Sequence, residues 1–145
     1  METTENALTR YDNEIDAIIA NNSGLASGAV RALEAQNMAD TDKVFVAGSD
    51  ADLLNIRYIA QGKQSIEIFK KVKPLAYAAA ETAVALAKNP DRPIDEIIEI
   101  DRYVDNGQIE VPTVVTEIVV VNKDNIMDTV VADGYHEAEE IFDQE

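Results

Sequence analysis

KVFVAGSDADLLNIRYIAQGKQSIEIFK, residues 43–70, decides the fold. An apolar run at 44–47 breaks at Gly48-Ser49-Asp50. Leu53, Ile56, Ile59 and Ala60 follow at the spacing of an amphipathic helix, and a second apolar run occupies 65–69. Upstream the same grammar repeats. Residues 15–20 read as a short buried strand, Asn21-Asn22-Ser23 as a turn, and Ala26, Ala29, Val30 and Leu33 as a helix that starts near Gly24. A β-α-β-α-β succession predicts an α/β fold with a Rossmann-like parallel sheet and right-handed crossovers.

Three polar clusters close the three apolar runs: Asn21-Asn22-Ser23, Gly48-Ser49-Asp50 and Phe69-Lys70. In a parallel sheet the strand-to-helix turns lie together outside the carboxyl ends of the strands, where open α/β sheets bind ligands. An amide, a carboxylate and an ammonium gathered there suit a polyhydroxylated ligand such as a sugar. Each residue also has a plainer use. Asn22 or Ser23 is placed to cap the helix from Gly24, and Asp50 or Asp52 to cap the helix of residues 53–60. At Ser23 capping is the stronger reading, whereas at Asp50 capping and ligation stand level. Lys70 also belongs to a basic surface run with Lys71 and Lys73.

Composition narrows the function classes. With 145 residues the chain has the size of one domain, and 46% apolar residues suffice for a core. Against 12 Lys plus Arg stand 28 Asp plus Glu, a formal net charge of −16, which repels phosphate backbones and anionic bilayers. The expectation is therefore no nucleic acid partner and no membrane insertion. The absence of cysteine removes disulfides, thiolate metal sites and thiol nucleophiles. The only histidine, His136, sits in the acidic stretch HEAEE and reads as a solvated side chain far from the strand-end clusters. No nucleophile elbow, phosphate loop or dinucleotide fingerprint is present. Asp50-Ala51-Asp52 and Asn122-Lys123-Asp124-Asn125 lack the glycine and distal glutamate of a calcium loop. No catalytic residue, metal or cofactor is expected.

The second half changes character. Residues 74–88, PLAYAAAETAVALAK, are apolar on nearly every face, so such a helix needs cover on more than one side. Asp105-Asn106-Gly107 signals a hairpin between strands at 94–103 and 108–111, Pro112 an edge or strand boundary, and 114–121 a further strand. From Asn122 the chain reads as a polar, acidic tail. Residues 6–11 look like the last turns of a helix. A domain rarely opens there, so the chain is expected to be a piece of something longer.

Three segments carry a likeness to a known family: ENALTRYDNEIDAIIANN, AGSDADLLNIRYIAQGKQSIEIFK, and DNGQIEVPTVV followed by VNKDNI. They resemble type I periplasmic sugar-binding proteins of ABC importers, in particular the D-xylose-binding and multiple-monosaccharide-binding branch. The likeness runs through the whole chain but corresponds to the C-terminal portion of such proteins. It implies two α/β lobes closing on a monosaccharide, with this chain supplying only part. Residues 1–68 would be the second half of the C-terminal lobe. Residues 69–110 would cross the hinge with the alanine-rich helix of the N-terminal lobe, and 111–145 would return as strand and tail. Carried over by position, Asn22, Asp50 and Lys70 match the family's ligand-contacting Asn, Asp and Lys. Ser23 stands where the family usually has an acidic residue, and Lys71 where the xylose proteins have proline.

The resemblance implies a solute-binding component of a bacterial ABC sugar importer, for xylose or a related aldose. It would be extracytoplasmic, with its export signal outside this chain and an ABC permease or a sugar-sensing kinase as partner. The alternative is an interaction or sensor module, an orphan lobe that pairs through residues 74–88 with a separate first lobe or with a second copy. An effector domain of a sugar-responsive repressor and an enzyme using Asp50 as a base rank below these.

Overall fold

The computed structural model describes residues 1–143. The chain divides into two units: Met1–Phe69 with the stretch from Val119 onward, and Lys70–Ile118.

In the first unit, helix α1 (Glu2–Arg10) carries Glu2 and Glu5 in its first turn and Arg10 in its last, the arrangement its dipole favours. It ends where Asp12 and Asn13 enter positive φ, at 50° and 65°. Strand β1 (Ala17–Ile19), helix α2 (Ser23–Ala35), strand β2 (Phe45–Ser49), helix α3 (Leu53–Ala60) and strand β3 (Ile66–Lys70) follow in order. β1 pairs with β2 and β2 with β3, both parallel, with Ile19 opposite Ala47 and Gly48 opposite Glu67. Strand β6 (Ile118–Val121) completes the sheet order β1-β2-β3-β6. The α/β parallel sheet is therefore as expected, with the ends of β1, β2 and β3 shifted by one or two residues and the start of β6 by four.

Local chemistry explains the joints. After α3 the Lys63 N–H donates to the Tyr58 carbonyl at 2.8 Å and the Gly62 N–H to Ile59 at 3.0 Å, with Gly62 at φ 74°. This double closure needs a left-handed residue past the helix end, and glycine takes that conformation without a Cβ penalty. Two apolar clusters make the core. One joins Leu8, Val30, Leu33, Val44, Val46 and Tyr58, and the other joins Ile56, Ile59, Phe69, Val121, Ile126, Val130 and Ile141.

That second cluster corrects the acidic tail. The segment after β6 winds through a π-helical turn (Met127–Val131) and helix α5 (Ala138–Phe142). It buries Ile126, Val130 and Ile141, spaced among its acids, and the Arg57 Nε donates to the Glu140 carbonyl at 2.7 Å. Asn122 and Asn125 spend their side-chain oxygens on the Asp124 and Asn122 amides. Residues 144 and 145 of the expected 111–145 segment lie outside the described residues.

The second unit holds helix α4 (Val72–Lys88), a 3₁₀ turn at Ile94–Glu96, and the antiparallel pair β4 (Arg102–Asp105) and β5 (Glu110–Thr113). Pro74 lies in the first turn of α4, where its missing N–H breaks no helical bond. The hairpin turn is built as its sequence promised. Asp105 Oδ1 accepts from the Gly107 N–H at 2.7 Å, Asn106 Oδ1 accepts from Gln108 and Ile109, and Gly107 sits at φ 84°. In a two-stranded ribbon every strand is an edge, so Pro112 is tolerated opposite Tyr103. Of the expected strand at 94–103 only Arg102 and Tyr103 pair, because 94–96 form the 3₁₀ turn. β5 is shifted from 108–111 to 110–113, and the run at 114–121 is strand only from Ile118. Residues 114–117 are irregular, and the Val115 N–H donates to Asp101 Oδ2 rather than to a ladder.

Candidate functional site

The β1–α2 and β2–α3 turns are neighbours because their strands are. Ala20 donates its N–H to the Ala47 carbonyl at 2.9 Å, which carries the β1–β2 pairing up to the first turn. Asn22 caps α2: its Oδ1 accepts from the Leu25 N–H at 2.8 Å. The cap uses only the oxygen, so the amide keeps its two donors for another partner. Asp52, not Asp50, is the residue before α3, and its side chain makes no cap. Asp50 stands ahead of it at φ 106°, with Ala51 at φ 59°. Lys70 closes β3, is exposed, and opens the second unit. The structure thus brings Asn22 and Asp50 to one sheet edge and places Lys70 at the end of the adjoining strand.

Beneath these turns lies a buried polar chain. Ser23 is 0% exposed and points inward. Its Oγ accepts from the Asp52 N–H at 3.1 Å and lies 2.8 Å from Glu67 Oε2 and 3.1 Å from the Ser49 carbonyl. One hydroxyl proton serves two acceptors, so it can turn toward either. Glu67, also 0% exposed, accepts from the Ala51 N–H at 2.9 Å on Oε2 and from Gln64 Nε2 at 2.7 Å on Oε1. Gln64 Oε1 accepts from Asn55 Nδ2 at 2.9 Å, and Asn55 Oδ1 accepts from Ser27 Oγ at 2.8 Å. Among the described residues no buried side-chain nitrogen or oxygen lacks a partner. Burial raises the Glu67 carboxyl above its ordinary range; its bonds from Ala51, Ser23 and Gln64 oppose that shift, and the Asp50 charge adds to it.

Gly48, opposite Glu67, makes room for this carboxylate. A Cβ there would overlap Glu67 Oε1 and come within 2.9 Å of Ala26 Cβ. From the other side the tail reaches the same turn. His136 Nε2 lies 2.7 Å from the Ala51 carbonyl, and since a carbonyl oxygen only accepts, the ring is the donor. Tyr135 OH donates to the Asp50 carbonyl at 3.4 Å, its ring 4.8 Å from Phe69. Burial and the Asp52 and Asp50 charges raise the Tyr135 hydroxyl's pKa. His136 is therefore not the remote solvated side chain its acidic neighbours implied, because the π-helical turn brings it back to the sheet edge.

Residues 1–91 match the periplasmic binding protein domain family. The chain belongs to that family. It is 40% identical over 142 residues to the D-xylose-binding periplasmic protein of Haemophilus influenzae, and 41% identical over 141 residues to that of Escherichia coli. These alignments cover 98% and 97% of this chain but 40% of each relative, so the chain spans about two-fifths of their length. Among solved structures, a carbohydrate transporter solute binding protein from Chloroflexus aurantiacus, in complex with D-glucose, superposes with a TM-score of 0.79 at 30% identity. It covers 96% of this chain and 39% of that one. The periplasmic binding protein family comprises solute binders, not enzymes, in keeping with the absence of a catalytic constellation from the sequence.

Sequence reasoning passed over Glu67, Gln64 and Asn55. A signal was present: a glutamate in the middle of the apolar run IEIF, once that strand is buried, has to have partners. Naming them required the register that sets Glu67 against Gly48 and beneath Ala51.

Proposed function

We propose that this chain is the C-terminal portion of an extracytoplasmic monosaccharide-binding protein that serves a bacterial ABC importer. Its ligand is xylose or a related aldose. The observation that carries the reading is the pair of turns at one sheet edge, with Asn22 and Asp50 presented by adjacent parallel strands. The likeness to D-xylose-binding periplasmic proteins supports the ligand class. Asp50 accepts hydrogen bonds from two vicinal hydroxyls, Asn22 donates through its free amide end, and Lys70 donates from the strand end. Residues 1–68 and 111–145 then belong to the C-terminal lobe, and 69–110 cross the hinge into the N-terminal lobe. Ligand favours closure by touching both lobes, and the protein binds without catalysing.

An amide NMR titration of the chain with D-xylose tests this. Weak binding, with shifts confined to residues around Asn22, Asp50 and Lys70, is the expected result. Shifts elsewhere, or none up to saturating sugar both for the chain alone and for the chain joined to the rest of its lobes, would sink it.

A second reading rests on α4, which buries no residue of its own: Tyr77 is 69% exposed and Leu75 47%. Its apolar surface favours a covering partner, a separate first lobe or a second copy. Light scattering that finds a strict monomer at high concentration would count against the second copy.

A further inference from the structure

The Asp50 turn is strained and fully tethered. Two successive non-glycine residues at positive φ cost on the order of 1 kcal/mol or more each unless their surroundings enforce them. Here the surroundings do. The Asp50 N–H donates to the Ile68 carbonyl at 2.9 Å, the Ala51 N–H to Glu67 Oε2 and the Asp52 N–H to Ser23 Oγ. The Ser49, Asp50 and Ala51 carbonyls accept from Ser23, Tyr135 and His136. Among these groups only Glu67 takes two N–H donors, Ala51 and Gln64, onto one side chain, with the single Ser23 hydroxyl proton turning to it or to the Ser49 carbonyl, and Gly48 is bare to let it do so.

We propose that Glu67 is the positioning residue of this site: from beneath the sheet edge it holds the 49–52 turn in the left-handed conformation that presents the Asp50 carboxylate to ligand. Its effect on ligand rests on the sugar-site reading above, whereas its hold on the turn does not. A carboxylate is suited to the place because it only accepts. A glutamine there meets Gln64 Nε2 donor to donor unless Gln64 and Asn55 both flip. The Ser27 hydroxyl, which accepts as readily as it donates, ends that relay. A methionine fills the space and satisfies no donor.

Hydrogen exchange of the Ala51 amide, with the HN–Hα couplings of Asp50 and Ala51, reads the turn without any ligand. In Glu67→Met the Ala51 amide is expected to exchange at least about tenfold faster and the couplings to move toward ordinary negative φ. In Glu67→Gln both readouts stay near those of the parent chain, and amides in α1 and α5 hold in both variants. Should Glu67→Met not fold, Ser23→Ala replaces it, with a smaller, few-fold acceleration at Ala51 and Asp52. Unchanged exchange and couplings in the acceptor-free variant would overturn the proposal, as would a glutamine variant no better than methionine. A D-xylose titration of the same samples separates the two readings. A turn that loosens in Glu67→Met while the parent chain never responds to sugar removes the ligand reading and leaves Glu67's hold on the turn intact.

Discussion

The two units of this chain treat apolar residues in opposite ways. In the first, short strands and amphipathic helices bury Leu33, Val46, Ile56 and Phe69 almost completely. In the second, a longer helix that is just as apolar buries nothing of its own, and Val104, Ile109 and Val115 of the hairpin region are exposed as well. Hydrophobic content alone therefore does not make a core. In the first unit α2 and α3 both cover the sheet face that carries Ile18, Val46 and Phe69, although Ile19 and Phe45 on the other face stay exposed. The second has one helix and a two-stranded ribbon, too little to enclose its own apolar side chains.

The sharpest way to break this contrast is at Gly48. Gly48→Ala drives a Cβ into Glu67 Oε1 and against Ala26. We expect a loss of about 3 kcal/mol or more, read as a collapse of the urea midpoint together with loss of the amide pattern around Ala51. Next comes a matched pair. Leu33→Ala should cost about 3 kcal/mol, because it empties a fully buried site, whereas Leu75→Ala on α4 should cost under about 1 kcal/mol. Equal losses in chemical denaturation would mean that α4 is covered in solution. Asn22→Ala removes the α2 cap and should cost about 1 kcal/mol, visible as a lower thermal midpoint.

The smallest effect is a pH slope. Glu67 has its carboxyl raised by burial, so the native state retains a proton that the unfolded chain gives up near about pH 4.3. Its contribution is fully present below that value and is lost as pH rises through the native pKa. Glu67→Gln should flatten this part of the profile. A parent and variant with parallel stability curves from acid to neutral pH would show that Glu67 titrates as an ordinary surface carboxyl.

Periodicity was a good guide wherever one element met one environment. The run Leu53, Ile56, Ile59, Ala60 gave α3, and Asp105-Asn106-Gly107 gave the hairpin. It failed at the tail. Acidic residues around Ile126, Val130 and Ile141 masked an apolar stripe, because the spacing passes through a π-helical turn that no regular period describes. His136 was misread for the same reason: its sequence neighbours are solvated acids, and its spatial neighbour is Ala51.

By itself the sequence determined the parallel α/β sheet, the polar residues at its strand ends and the charge that repels nucleic acid. Those follow from local pattern, since strand-to-helix turns in a parallel sheet all open on one edge. Only the tertiary structure decided which residues hold that edge in shape. Ser23 faces inward rather than toward ligand, and Glu67 sits under Ala51, opposite a glycine that makes room for it. Both depend on the register between strands far apart in the chain, and a buried hydrogen bond is a relation between positions that no single stretch of sequence contains.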